Sequence, residues 1–498
     1  MQCCDAVPGV IGLVGQPRNA APPRQRLKPF PACIWFPNTI SRVAGKLKNK
    51  GLLLGFGCRI FLADQEVKMK IKLVTAVLAM FLIICMGSLN ADIYVSVSRG
   101  SNQNDGSREN PVKEIDRAIT LVKPGEAIRI SGGHYQGTFG IGYLESDKPL
   151  QLIGSYDEAF EKRSVIATPT LFQPDNAAGG KARKAMLKFT RTIDGTQIDG
   201  IVFNMGMRNA YSVNEGLVEG VETGRMLRST ERPRTGNSTV EEPIIQVASS
   251  AQGGDLIIRN CVFVNGAGFA IQGGVRGGTF RILNNVFVGN RMAAVEIYGT
   301  CASRGGPGKS VSCGNVEIAY NTILFTWSRL KDMRDMGYGI RVMTKCSYAI
   351  HHNIIGGSIL AGIDHTRFNP GEWLRIEDNI FFANKKADIE YSPASNTRLN
   401  IMVEQFGDLT FAAVKGNRRA IPTALPLNLK YLEGFLTAGY SEQEDFNPDS
   451  QANLWREALG LNKQGKLRSS VSMFMNRYPW KDTLKLFGAV RGAGAQRF

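Results

Sequence analysis

From residue 197 onward one short pattern keeps returning in this chain: an asparagine followed by two or three apolar residues. It reads Ile-Arg-Asn-Cys-Val-Phe (258–263), Leu-Asn-Asn-Val-Phe (283–287), Ala-Tyr-Asn-Thr-Ile-Leu (319–324), His-His-Asn-Ile-Ile (351–355) and Glu-Asp-Asn-Ile-Phe (377–381), with Ile-Asp-Gly-Ile-Val-Phe (198–203) as a variant. Asn260, Asn285, Asn321, Asn353 and Asn379 stand 25, 36, 32 and 26 residues apart. Intervals of this size mark a β-solenoid, in which each coil buries its apolar side chains only by stacking on its neighbours and the longer coils carry inserted loops. An asparagine at a fixed place in every coil can donate to one neighbour and accept from the other, so these residues predict a structural ladder rather than catalytic groups.

Each asparagine strand is followed by a shorter one with an apolar, polar, apolar rhythm: Leu187-Lys188-Phe189, Ile245-Gln246-Val247, Ile271-Gln272-Gly273, Val295-Glu296-Ile297, Ile340-Arg341-Val342, Ile363-Asp364-His365 and Ile389-Glu390-Tyr391. Glu296, Asp364 and Glu390 each lie 11 residues beyond their asparagine, which supports the alignment. Side chains alternate across a strand, so the middle residues are predicted to face outward in one row, about 4.8 Å apart, while Val295, Ile297, Ile340, Val342 and Ile363 face the core.

Before the repeats, Asp92–Ser98 reads as a strand, Pro111–Val122 as an amphipathic cap helix stopped by Lys123-Pro124-Gly125, and Gly-Gly-His-Tyr (132–135) follows a second strand. Further upstream, Met-Lys-Ile-Lys (69–72), an apolar run and a small-residue exit ending at Ala91 have the layout of a signal peptide, and the run is too short for a membrane span. The expected organisation is therefore an extension at 1–68, which reflects a start codon assigned too early and carries no compact fold, a signal peptide at 69–91, a β-helix at 92–396, and terminal coils with a partly helical cap at 397–498. Removal of the first two segments lowers the formal charge from +17 to +8, a modestly basic surface compatible with an acidic partner. Cys261, Cys301, Cys313 and Cys346 remain, with no paired CxxC; Cys301 and Cys313 bracket one Gly-rich loop and are candidates for a disulfide, while Cys261 reads as a small core residue.

The opening strand and polar turn, the helix ending in Lys-Pro-Gly-Glu (123–126), Gly-Gly-His-Tyr, Ile-Asp-Gly-Ile-Val-Phe and the asparagine rungs together resemble the pectate-lyase-like superfamily of right-handed parallel β-helix proteins, over roughly residues 92–395. The resemblance implies an all-β right-handed solenoid and a carbohydrate partner. It does not name a reaction, since that superfamily includes uronan lyases, epimerases, glycoside hydrolases and non-catalytic adhesins. Neither the calcium-binding Asp cluster of one pectate lyase family nor the Lys/Arg signature of alginate and chondroitin lyases is matched.

The expected function is that of a secreted or periplasmic monomer, free of the membrane and of nucleic acid, acting on an acidic polysaccharide as a lyase. Lys188, Gln246, Gln272, Glu296, Asp364 and Glu390 are the candidate substrate-binding residues. Elimination needs a neutralised uronate carboxylate, a base and an acid. Arg341, or Ca²⁺ held by Glu296 and Asp364, is assigned the first role, Lys345 or Arg341 the second and Tyr298 the third. Alternatives are a hydrolase using two of Glu296, Asp364 and Glu390, a uronan epimerase on the same groove, and a glycan-binding adhesin. His351 and His352, beside a rung asparagine, read as structural. Insertions near 205–242, 300–314 and 326–337 are expected to wall the groove. As an outward residue, Arg341→Leu is expected to cost under about 0.5 kcal/mol.

Overall fold

A computed structural model describes residues 92–136, 144–173, 185–205, 243–248, 251, 253–266, 268–298, 313–326, 336–366, 373–394, 397–426 and 480–498. The expected leader, the bulk of the three expected insertions and residues 427–479 of the expected terminal region lie outside them. Three sheets of ten, nine and nine strands, parallel except for the antiparallel last pair of the third, run the length of the described chain, and successive strands visit them in rotation, which makes the fold a right-handed parallel β-helix. A representative coil is Thr279–Leu283 in the first sheet, Val286–Val288 in the second and Ala293–Tyr298 in the third.

The first two sheets are joined by a two-residue corner, and this corner explains the repeated motif. Its first residue takes the left-handed conformation, with φ of 56° at Asn260, 57° at Asn284, 56° at Tyr320, 55° at His352 and 55° at Asp378. Its second residue is the ladder asparagine. The backbone N–H groups of Asn285, Asn321 and Asn353 each donate to the Oδ1 of the next asparagine at 2.9 Å, and each Nδ2 bonds the same oxygen and a core carbonyl. The ladder runs on through Asn379 to Asn417, so the stretch after 396 includes a further coil with the strand pair Ala412–Lys415 and Arg418–Arg419.

Asn260 is displaced by one from its expected place. It occupies the left-handed corner position and bonds Asp199 and Asn284, whereas Cys261 holds the ladder position, its N–H donating to Asn285 Oδ1 at 2.9 Å. Cys261 is buried and free, Cys346 is buried, Cys313 is disulfide-bonded, and Cys301 lies outside the described residues.

The inward row of the second sheet carries Tyr135, Phe172, Phe203, Phe263 and Phe287 in register, the last three with ring centroids 5.1 and 4.9 Å apart and nearly parallel. Its outer face is apolar too: Val262, Val264, Val286, Val288, Leu324, Ile354, Ile380 and Phe382 are buried under Leu484, Leu486, Phe487, Ala493 and Ala495. The C-terminal segment Trp480–Phe498 is thus a strap laid along the second sheet. Gly494 N donates to the His352 carbonyl at 2.8 Å, and Ala495 N to Thr322 Oγ1 at 2.9 Å. At the other end the cap helix is shorter than expected, Ile115–Leu121, because Val112 forms a bridge with Val95 before the helix begins. Its Ile115 and Ala118 join the core beside the first strand.

Candidate functional site

The third sheet has the register that the triplets predict. Pairing runs Glu145↔Lys188↔Gln246↔Gln272↔Glu296↔Arg341↔Asp364↔Glu390 across eight consecutive strands. Glu145, on Leu144–Ser146, extends the row by one coil beyond the sequence reading; its triplet Leu-Glu-Ser has the same rhythm with a serine in the second inward place. Val295, Ile297, Ile340, Val342 and Ile363 are fully buried in the core on the opposite face.

Adjacent members of the row bond to one another. Gln246 Nε2 donates to Gln272 Oε1 at 2.8 Å, and Gln272 Nε2 to Glu296 Oε1 at 2.8 Å. Arg341 lies between two carboxylates, its Nη1 donating to Glu296 Oε2 and its Nε to Asp364 Oδ2 at 2.8 Å. The other Asp364 oxygen accepts from Thr366 N and Oγ1 at 3.0 and 2.7 Å. Glu390 accepts from Tyr338 OH and Lys386 Nζ, both at 2.6 Å, and forms an ion pair with Arg398 at 3.4 Å. Tyr338, Thr366, Lys386 and Arg398 are members of this cluster that sequence reasoning missed, because they flank the triplets rather than standing at their centres.

Outward does not mean exposed here. The side chains of Arg341, Glu296, Asp364 and Glu390 are 10%, 8%, 1% and 0% accessible. This corrects the expectation of a solvated Arg341. Burial lifts the Glu296 pKa above its ordinary value although Arg341 and Gln272 pull against it. Burial also acts against the charged form of Arg341, but Asp364 and Glu296 outweigh it and hold the guanidinium's pKa up. At Glu390 burial is overcome by hydrogen bonds from Lys386 and Tyr338, and its pKa falls.

The assigned catalytic groups are less closely gathered. Tyr298 follows Glu296 by two on the same strand, and its OH donates to the Val247 carbonyl at 3.0 Å. Lys345 lies beyond the strand end, in the turn before Ser347–His351, where its carbonyl accepts from Cys313 N at 2.8 Å. Arg341, fixed by two carboxylates, is poorly placed to act as a base. Ca²⁺ at Glu296 and Asp364 does not fit the donor set as it stands, because Arg341, Gln272 and Thr366 already hold all four carboxylate oxygens. Among the described residues no group of three or more His, Cys, Asp or Glu is arranged to hold a metal ion. None of their helices is long and apolar enough to cross a membrane.

Away from the row, His351 and His352 approach through Nδ1 at 3.0 Å beside Glu317 and Asp378, on the first corner. His365 is buried and stacks on Phe411 with centroids 4.9 Å apart.

A family model described as a protein of unknown function, DUF1565, matches residues 98–328. No curated protein matches the chain in sequence. Among solved structures it is similar to a rhamnogalacturonan lyase, at 12% identity and a TM-score of 0.38 over 68% of this chain and 90% of that one. It is also similar to pectin methylesterase PemA from Erwinia chrysanthemi, at 11% identity and a TM-score of 0.30 over 67% and 90%. A GH136 lacto-N-biosidase from Eubacterium ramulus follows at 10%, with a TM-score of 0.23 over 66% and 68%. Identities this low carry no site residue from those proteins to this one.

Proposed function

We propose that this chain is an exported, carbohydrate-active β-helix protein that holds a linear acidic glycan along the outer row of its third sheet. The observation that carries the reading is the register itself. Eight polar side chains stand at one position on eight consecutive parallel strands, and the four of them that stay accessible, Glu145, Lys188, Gln246 and Gln272, keep a spacing of about 4.8 Å that is commensurate with the repeat of an extended sugar chain. Acidity of the glycan is supported by the far end of the row. Glu390 is fully buried while its partners Lys386 and Arg398 are 37% and 56% accessible, so the cations are the members that meet solvent. With Arg341 engaged on both sides, Lys386 and Arg398 are the groups best placed to neutralise a uronate carboxylate.

Cleavage by β-elimination is the chemistry proposed for such a substrate, within the periplasm or outside the cell. The test is incubation of the purified protein with pectate, alginate and glycosaminoglycans, followed in the ultraviolet. The expected product is an unsaturated uronate, formed more slowly by Lys386→Ala and Arg398→Ala. Glycan binding without product, lost in Gln246→Ala and Gln272→Ala, would reduce the reading to a binding platform. No binding across the panel would refute it.

A further inference from the structure

The Gly-Gly-His-Tyr motif plays no part in the row on the third sheet. It opens the second sheet as Gly133–Gln136, and its Tyr135 is buried with the OH in reach of Ser131 Oγ at 3.3 Å. Gly133, at φ of 148°, runs so close to Val97 that a Cβ would stand 2.5 Å from its side chain. A Cβ on Gly132 would stand 2.9 Å from the Thr168 carbonyl oxygen, so both glycines allow a close approach of the backbone, and the adjoining His134 is exposed.

In front of it is a cavity of about 400 Å³, bounded by His134, Tyr156, Asp157, Glu158, Leu171 and Trp480. It lies at the N-terminal end of the second sheet, on a different face from Glu296 and Arg341 and several coils away. The strap contributes Trp480, so the site is completed only when residues some 300 positions apart in sequence come together.

We propose that this cavity binds a neutral sugar ring. A pyranose has apolar C–H faces and a rim of hydroxyls, and the lining offers a match for each. Trp480 and Leu171 supply apolar surface. Glu158 is held by Ser96 Oγ at 2.9 Å and Ser131 Oγ at 3.4 Å and forms an ion pair with Arg99 at 3.7 Å, with its side chain still 50% accessible, so its carboxylate keeps lone pairs for hydroxyl donors. His134 is kept below its ordinary pKa by burial, against a hydrogen bond to the Gln173 side chain, and as a neutral imidazole it both donates and accepts. Asp157 is engaged by the Glu161 and Lys162 amides at 2.8 and 3.2 Å and fixes the loop that presents Glu158. The two carboxylates in the lining, only partly offset by Arg99 beside Glu158, disfavour a uronate, so the class bound here differs from the one proposed for the row. The choice of a sugar rests on the reading of the chain as carbohydrate-active; the choice of a neutral one rests on this lining.

The experiment is saturation-transfer NMR and calorimetry on the full chain with cellotriose, galactotriose and triacetylchitotriose as neutral probes and trigalacturonate as the acidic one. At least one neutral probe is expected to bind at millimolar concentration, and Glu158→Gln and His134→Ala to weaken it by about tenfold each, as the loss of a hydrogen bond to a charged or aimed group does. Both residues are accessible, so these variants fold where Trp480→Ala, which also loosens the strap, need not. Trigalacturonate binding is expected to be unchanged in both. Absence of binding by every neutral probe, or neutral binding unchanged in both variants, overturns the proposal. Failure of trigalacturonate alone overturns only the reading of the row.

Discussion

Arg341→Met removes a guanidinium from between two buried carboxylates without removing much volume. Had Arg341 been solvated, the cost would be under about 0.5 kcal/mol. It is 8% exposed instead, and it is bonded to Glu296 at 6% and Asp364 at 1%. Taking one partner from a buried ion pair typically costs about 3–5 kcal/mol, because the charge left behind has lost its solvent and its counter-ion. We expect a loss of about 3 kcal/mol near neutral pH. In a solenoid, stability is a sum of coil and nearest-neighbour terms, so the damage should stay local. Hydrogen exchange is therefore the assay. Amides of Ala293–Tyr298, Tyr338–Val342 and Ala361–His365 should exchange roughly 100-fold faster, at about 1.4 kcal/mol per factor of ten, while Ile128–Ser131 is unchanged. The pH dependence gives a second check. In the variant the folded pKa of Glu296, already above its ordinary value, loses the lowering pull of Arg341 and should rise further, so protonation favours the folded state and the defect should shrink as pH falls. A loss below about 1 kcal/mol, equal at pH 4 and pH 7, would refute the picture of a desolvated triad.

Asn353→Ala leaves the Asn321 N–H and the Ile318 carbonyl without their buried partner and should cost about 3 kcal/mol, read as a fall in the denaturant midpoint. Cys261→Asn should act in the opposite direction: the thiol already approaches the Ile198 carbonyl at 3.8 Å, where an amide would continue the ladder, so a gain of about 1 kcal/mol is expected and a loss would show that the corner has no room. Asp199 is held below its ordinary pKa despite burial by Arg163, Asn260 and Arg259, so the stability it confers is present above the unfolded pKa and lost as pH falls through the folded value. Asp199→Asn should flatten the acid limb of the stability profile, and an unchanged limb would count against this network. Deletion of Trp480–Phe498 should uncover Val262, Val286, Ile354 and Phe382, and the measurable result is binding of a hydrophobic dye and concentration-dependent association.

The register of the third sheet was legible because two signals agreed. An apolar, polar, apolar triplet fixes which residue faces out, and a constant distance from the ladder asparagine fixes which coil it belongs to. Arg341 escaped the constant distance, since a longer connection separates it from Asn321, yet its triplet still set its face. The single error in the ladder has an equally local cause. The corner places two residues in succession that both suit asparagine, one for its tolerance of positive φ and the next for its amide, so Asn284-Asn285 is ambiguous by one and Asn260-Cys261 was aligned to the wrong member. What the triplets could not convey is what lies over the outer face. A polar residue at an outward position signals only that its hydrogen bonds are met, and water or a neighbouring coil meets them equally well; Glu390 is met by Tyr338, Lys386 and Arg398 from outside the triplet pattern. For the second sheet the signal was present and unread. Val262–Val264, Val286–Val288 and Ile380–Phe382 are apolar at every position, and a strand without alternation is one buried on both faces. That pattern required a cover for the second sheet before any cover was visible in the sequence, and the strap that supplies it is too short and irregular to carry a period of its own. The same reasoning separates the two proposed glycan surfaces. The row is written in the repeat and can be read coil by coil, whereas the cavity at His134 and Glu158 depends on a tryptophan delivered by the strap and could be found only once the chain was folded.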